Sequence, residues 1–336
     1  MATNKSPTPP ATTSRLTDIG AVVIGRNEGA RLDACLRSLN HASHIIYVDS
    51  GSDDNSVEIA ENAGASVVQL DKDIPFTAAR ARNAGFEKLS EFAGIEYVQF
   101  VDGDCVVRDG WLQAARSFLE TTPKAAVVCG RRRERHPEAS VYNRLCDDEW
   151  NTPTGLAKAC GGDAMMRVVT VRDVGGYRDD LIAGEEPELC VRVRQAGWQV
   201  WRIDQEMTWH DAALSRFTQW FRRSRRTGHA FAQGASIHGT PPERHWVKET
   251  RRALFWGIAL PLAAFIAGAF NPLGYALFLA FPMQVIRLAI RKDVLRRSSW
   301  EIALFNVMAK FPEALGVIEF YTHKLRGGRS KLIEYK

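Results

Sequence analysis

The chain has 336 residues, 45% of them apolar and 25% charged, with a formal net charge of +5. These values fit a folded protein with a sizeable core and room for a second unit, and they exclude bulk disorder and a chain built only of membrane spans. Six cysteines at positions 35, 105, 129, 146, 160 and 190 form no C-x-x-C pair. A disulfide scaffold or zinc ribbon is thereby disfavoured, and a reducing compartment fits best.

Residues 1–18 are rich in Pro, Ser and Thr and lack the apolar segment of a signal peptide, so they are expected to be a disordered leader. From Ile19 the pattern alternates. Ala21–Ile24, His44–Val48, Ser66–Leu70, Tyr97–Val101 and Ala125–Cys129 are short apolar runs with strand character. Between them, Ala30–Leu39, Val57–Ala63, Thr77–Phe92 and Trp111–Leu119 have helical spacing. Strands alternating with helices predict βαβ crossovers and a mostly parallel sheet covered on both faces. Residues 136–180 are less regular. Glu188–Ala196 reads as a helix, Gln199–Ile203 as a strand and Leu214–Thr227 as a basic helix.

Charge then separates along the chain. Residues 1–211 hold 24 basic and 32 acidic side chains, whereas residues 212–336 hold 20 and 7. Within that basic tail, Ala253–Ile286 is a run of 34 residues without a charge, broken at Asn271-Pro272. As one helix it would reach about 51 Å, too long for a single crossing of a hydrocarbon layer of about 30 Å. Arg251 and Arg252 precede it, and Arg287, Arg291, Lys292, Arg296 and Arg297 follow it. Basic flanks on both sides predict a hairpin with both ends in the cytoplasm, either spanning or re-entrant. Two buried core helices are the alternative. Ile302–Tyr321 has apolar residues at helical spacing, and Lys324–Lys336 is basic, which suits anionic headgroups.

Four polar segments fall where chemistry is expected in an open α/β sheet, at carboxyl ends of strands. Gly25-Arg26-Asn27-Glu28-Gly29 follows the first strand, with neither G-x-G-x-x-G nor G-x-x-x-x-G-K-[ST], so a dinucleotide dehydrogenase and a P-loop NTPase are disfavoured. Asp49-Ser50-Gly51-Ser52-Asp53-Asp54 follows the second, and reads equally as a polar loop before a helix. Asp102-Gly103-Asp104 follows the fourth; two carboxylates so placed are costly to leave unpaired, and Mg²⁺ or Mn²⁺ with hard oxygen ligands removes that cost. Gly184-Glu185-Glu186-Pro187-Glu188 puts three acids before a helix, either as dipole partners or as a general base in a cleft.

In this order the segments resemble the family-2 glycosyltransferases of the GT-A fold, over roughly residues 19–230. VVIGRNEGARLDACLRSL looks like the family's opening strand and helix, VDSGSDDNS its D-x-G-S-x-D loop, and ARARNAGF its A-R-N-x-G helix start. VDGDC is the D-x-D element, and CGGDAMMRVVTVRDVGGY with GEEPELCVRVRQAGW resembles the acceptor-side block with its acidic E-D pair. The resemblance implies an α/β GT-A catalytic domain. It implies that Asn27, Glu28 and Asp49 contact the base and ribose, that Arg82 and Asn83 approach the nucleotide with Arg82 on the diphosphate, and that Asp102 leans to the ribose. Asp104 would be the principal metal ligand, and His210 a further one. Glu186 stands where the family usually has Asp, and would be the base, with Glu185 its rival. Processive synthases carry Q-x-x-R-W; here Gln219-Trp220-Phe221-Arg222-Arg223 departs from it, which argues against a pore-forming polymerase. Arg222, Arg223, Arg225, Arg226 and His229 could hold the donor's diphosphate or an acceptor phosphate.

The expected organisation is therefore a leader (1–18), a GT-A catalytic domain (19–230), a basic linker (231–252), a hydrophobic hairpin (253–290) and an amphipathic, basic region (291–336). The expected activity is inverting, metal-dependent transfer from a nucleoside-diphosphate-sugar to a polyprenyl-linked or glycan acceptor in cell-surface polysaccharide synthesis. Membrane lipid is the expected partner, at the cytoplasmic face of the plasma membrane. A sugar-phosphate nucleotidyltransferase and a degenerate membrane-anchored scaffold are the alternatives. Nucleic acid is not an expected partner, because the basic helix has no base-reading motif.

Overall fold

The computed structural model describes residues 16–327. Strands β1 (Leu16–Gly25), β2 (Ala42–Asp49), β3 (Ser66–Gln69) and β4 (Tyr97–Asp102) alternate with helices α1 (Ala30–Ser38), α2 (Ser56–Asn62) and α3 (Ala78–Leu89). Then come β5 (Cys105–Val107), α4 (Trp111–Thr121), β6 (Ala125–Glu134), α5 (Val141–Glu149), β7 (Gly155–Ala157), β8 (Ala164–Arg167), α6 (Val168–Asp173), α7 (Glu185–Gln195) and β9 (Gln199–His210). The sheet runs β3-β2-β1-β4-β8-β6-β9-β5, with β7 joined to β9.

The β3-β2-β1-β4 half is parallel, as the apolar runs predict. Beyond it the sheet is mixed. β8 comes from the irregular 136–180 stretch and inserts antiparallel between β4 and β6, while β6 and β9 pair in parallel. Ile19 and Ala21 to Val23 of β1, and Val98, Phe100 and Val101 of β4, have no solvent exposure, because helices cover both faces. Gly25 is in register with Asp49, and Ile24 with Asp102, so the loops after β1, β2 and β4 open along one edge of the sheet. A cavity of about 860 Å³ lies elsewhere, lined by Leu36, Ala42, His44 and Phe92 near the start of β2.

The boundaries at both ends differ from expectation. β1 begins at Leu16, inside the stretch read as a leader, because Leu16 pairs with Ala42; residues 1–15 lie outside the described residues, as do 328–336 of the basic tail. The basic linker is largely helical. Helix α8 (Phe217–His238) runs through position 231, and α9 (Val247–Leu254) starts before the uncharged run. A π-helical turn (Phe255–Ala259) joins α9 to α10 (Leu260–Phe270); after Asn271 a 3₁₀ segment (Pro272–Leu279) leads into α11 (Ala280–Lys292). Residues 302–321 form parts of two helices, α12 (Arg297–Met308) and α13 (Lys310–Leu325).

Helices α8 and α13 cross with their backbones nearly touching. A Cβ at Gly228 would lie 2.0 Å from the Glu313 carbonyl oxygen, and one at Gly316 would lie 1.9 Å from that of Arg225. Gly228→Ala tests this. Helix propensity alone favours alanine by about 1 kcal/mol, but the obstacle is a backbone carbonyl that cannot rotate aside, so overpacking of about 1–3 kcal/mol or more is expected to win. Denaturant titration should show a lower midpoint than wild type. An unchanged or higher midpoint would mean that the crossing is looser than described.

Candidate active site

The β1 and β2 loops are knitted together. Asn27 adopts a left-handed backbone (φ 56°); its N–H donates to Ser52 Oγ at 2.9 Å, and its side-chain oxygen accepts from the Asp53 N–H at 2.8 Å. The N–H groups of Glu28 and Gly29 both donate to Ser56 Oγ, and Glu28 pairs with Arg31 at 2.7 Å. Asp49 is buried. Its carboxylate accepts from the N–H groups of Gly51 and Ser52 and from the hydroxyls of Tyr47 and Ser52. Four bonds fill the acceptor capacity of a carboxylate, so Asp49 shapes the loop, whereas the sequence reading put it on the nucleotide.

Arg82, expected on the diphosphate, is instead a hub only 2% exposed. One Nη donates to Glu185 at 2.8 Å; the other meets Asp102 at 2.8 Å and Glu186 at 2.9 Å. Its guanidinium also lies 5.6 Å from the Tyr177 ring centroid. The cause is electrostatic: three carboxylates converge at the sheet edge, and a buried guanidinium neutralises them with directed bonds. Asn83, on the same helix, holds the Tyr177–Asp179 loop rather than facing the nucleotide. Its amide donates to the Tyr177 carbonyl and to Asp179, each at 2.7 Å, and its oxygen accepts from the Tyr177 N–H.

The acids read as preceding a helix are the first turn of α7, capped by Gly184 in a left-handed conformation (φ 80°). A side chain at Gly184 would strike Trp246, whose ring sits against it. Glu188 is buried and bound to Arg192 and His238, so it is structural. Glu185 is buried more deeply than Glu186, whose side chain is 13% exposed. Burial raises the Glu186 carboxyl, the neighbouring Glu185 charge raises it further, and Arg82 offsets only part, leaving it at about 7. That is a carboxylate poised to take and release protons near neutrality.

Beside this hub lies a second group. Ligand atoms of Asp102, Asp104, Cys105 and His210 all fall within 4.8 Å of one another. His210, at the end of β9, is in register with Cys105 across the sheet, and its Nε2 is 3.3 Å from Asp104 Oδ1. Its other nitrogen lacks a hydrogen bond and points toward Glu134 at 3.9 Å, the carboxylate–histidine arrangement common behind metal ligands. Burial opposes ionisation of Asp102, but Arg82 and Arg132 outweigh it and hold the carboxyl below its ordinary value. Burial pushes the Cys105 thiol well up, so the donor set is two carboxylates and an imidazole. Such donors fit a hard or intermediate divalent cation.

Three contributors were not singled out from the sequence. Arg132 donates to Asp102 at 2.8 Å and to the Cys105 sulfur at 3.2 Å. Asp163, with no exposure, accepts from the Asp102 N–H and the Thr208 hydroxyl. Trp150 places its ring edge-on to His210 at 4.6 Å and lies under Arg132. Gly162 keeps the spot open, since a Cβ there would lie 2.8 Å from both Arg82 and Asp102.

The expected cationic cluster on α8 is dispersed. Arg223 pairs with Glu149 and Arg225 with Glu319, while Arg226 donates to the Ile182 carbonyl, bracing the loop before Gly184. Arg222 is exposed. His229 is buried, and burial lowers it to about 4, so it is neutral near pH 7.

Residues 21–161 match the family model described as glycosyl transferase family 2. Over 209 residues the chain is 27% identical to the pre-mycofactocin glycosyltransferase of Mycobacterium tuberculosis, from each of two strains. The match covers 58% of this chain and 43% of those relatives, so the chain spans less than half of their length. Among solved structures, the mannosyltransferase PcManGT from Pyrobaculum calidifontis, in complex with GDP-Man and Mn²⁺, is similar with a TM-score of 0.59 and 20% identity, covering 89% of this chain and 88% of that one. At that identity the likeness is one of fold.

Proposed function

We propose that this chain, a glycosyltransferase carrying a family 2 domain over residues 21–161, transfers a sugar from a nucleoside-diphosphate donor to an acceptor hydroxyl with inversion. One observation carries the reading. Glu186, with a carboxyl near 7, shares Arg82 with Asp102, next to a cluster of donors suited to a divalent cation.

In this mechanism the side chain of Glu186 takes the proton of the acceptor hydroxyl as its oxygen attacks the anomeric carbon. Arg82 fixes the orientation of that carboxylate. Asn27 and Glu28, held by the loop that Asp49 organises, face the base and ribose. A bound Mg²⁺ or Mn²⁺, held by Asp104, Asp102 and His210, would supply positive charge toward the diphosphate. A single displacement from the side opposite the leaving group inverts the configuration and needs no enzyme nucleophile. Arg226 braces the acceptor-side loop before Gly184 through the Ile182 carbonyl, and Arg222 is exposed on the same helix.

The acceptor in this reading is a polyprenyl-linked or other glycan of cell-surface polysaccharide assembly, met at the cytoplasmic face of the plasma membrane. Its support is the basic tail and two helical stretches, Val247–Phe270 and Pro272–Lys292, long and apolar enough to cross a membrane. The test incubates detergent-solubilised protein with Mg²⁺ or Mn²⁺ and a panel of nucleotide-sugars, with and without membrane lipid extract. Expected are release of nucleoside diphosphate that requires the extract, loss of release with EDTA, and a product anomer opposite to the donor's by NMR. Release indifferent to EDTA, or a retained anomer, would overturn the mechanism. Release with a soluble acceptor alone would overturn the lipid-linked acceptor.

A further inference from the structure

We propose that the segment from Gly257 to Ala280 is a re-entrant wedge that enters a single leaflet of an anionic bilayer and turns back within it. The proposal rests on the membrane association put forward above and specifies its geometry.

The wedge is rooted on the protein. Trp256 and Phe281 pack edge to face at 5.7 Å, and Phe281 stacks on Phe311 of α13 at 5.7 Å. Gly257 sits so close to α13 that a Cβ would lie 2.3 Å from the Lys310 carbonyl oxygen. Below this root the hairpin is held by the rest of the chain, since Ala253 packs with Ala232 of α8 and Val317 and Phe320 of α13, and Lys292 contacts Asp148.

Beyond the root the two arms pack on each other. Phe265 packs on Phe278 at 5.1 Å, and Gly268 receives the Tyr275 ring. Their outward faces are apolar, with Phe270 88% and Leu273 79% exposed at the turn. The free length is short. The outgoing arm from Gly257 to Phe270 rises about 20 Å at 1.5 Å per residue, and the returning 3₁₀ arm rises about 16 Å at 2.0 Å per residue. Both fall well short of a hydrocarbon layer of about 30 Å. The first stretch reaches a spanning length only if Val247–Trp256, below the root, is counted, and the second only if α11 is counted past Arg287 to Lys292.

Charge identifies the surface that receives the wedge. Exposed Arg251 and Arg252 lie on the approach to the wedge and exposed Arg287 and Arg291 on the helix that leaves it, so basic side chains flank it on both sides, as anionic headgroups require. Exposed apolar side chains of α13, Phe311, Leu315 and Ile318, extend the contact sideways at the interface.

The test uses the full chain carrying Leu273→Cys, reconstituted from detergent into sealed vesicles of phosphatidylcholine and phosphatidylglycerol, which gives both orientations. The six native cysteines are all buried, and the unsubstituted protein measures their background. Lys124→Cys, an exposed site on the catalytic domain, reports orientation. A membrane-impermeant maleimide is added outside, then detergent. Expected are co-flotation with the vesicles, partial labelling of Lys124→Cys, and no labelling of Leu273→Cys until detergent is added. Labelling of Leu273→Cys before detergent, with flotation intact, would overturn the one-leaflet wedge and leave membrane association standing. Loss of flotation, including by a dimer that buries the turn, would overturn both.

Discussion

Glu186→Gln is expected to lower kcat by about 100- to 10,000-fold, the usual contribution of a positioned general base. The amide keeps the size and one acceptor oxygen of the carboxylate, and Arg82 retains Asp102 and Glu185, so folding and donor binding should persist. What disappears is the group that accepts the acceptor's proton. Wild-type kcat/KM should fall on the acid side with an apparent value of about 7, by about tenfold per pH unit below it, because the base must be deprotonated to act. That limb should be missing in the variant. Nucleoside diphosphate release across pH, with thermal melts as a folding check, measures both. Near-normal turnover in Glu186→Gln with a large loss in Glu185→Gln would transfer the role to Glu185.

Arg82→Met is expected to cost about 3–5 kcal/mol of stability, the penalty for leaving buried charge unpaired. The substitution fills a similar volume, so the loss reports charge rather than a cavity. Asp102, Glu185 and Glu186 would then converge with no cation among them. Arg82→Lys keeps the charge but cannot meet three carboxylates with a planar fork, so it should recover part of the loss. Denaturant unfolding of the three proteins decides. A cost below about 1 kcal/mol for Arg82→Met would resemble an exposed pair and would mean that the carboxylates are hydrated in the fold.

The parallel half of the sheet was legible because its strands are buried on both faces and therefore read as unbroken apolar runs. β8 was not, because Ala164–Arg167 is too short to show a period and its pairing is set by strands distant in sequence. The acidic and histidine members of the site carried local signals at strand and helix ends. Their partners did not. That Arg82 faces three carboxylates rather than a phosphate depends on α7 arriving beside α3, which no spacing encodes. Arg132 carried no such signal, because β6 is irregular between Arg131 and Arg132 and simple alternation does not fix which face the residue takes. The hairpin was visible as composition, yet its depth depends on where α13 grips it.

The glycine crossing between α8 and α13 bears on how this architecture is inherited. A cut between catalytic and C-terminal parts at residue 230 falls inside α8, two positions past Gly228, so the two halves share one helix. Exchange of the final helices with those of a relative would succeed only where the donor supplies a matching small residue opposite Gly228 and Gly316. The C-terminal portion is thus no interchangeable cassette, and substitutions on the two helices are constrained to change together.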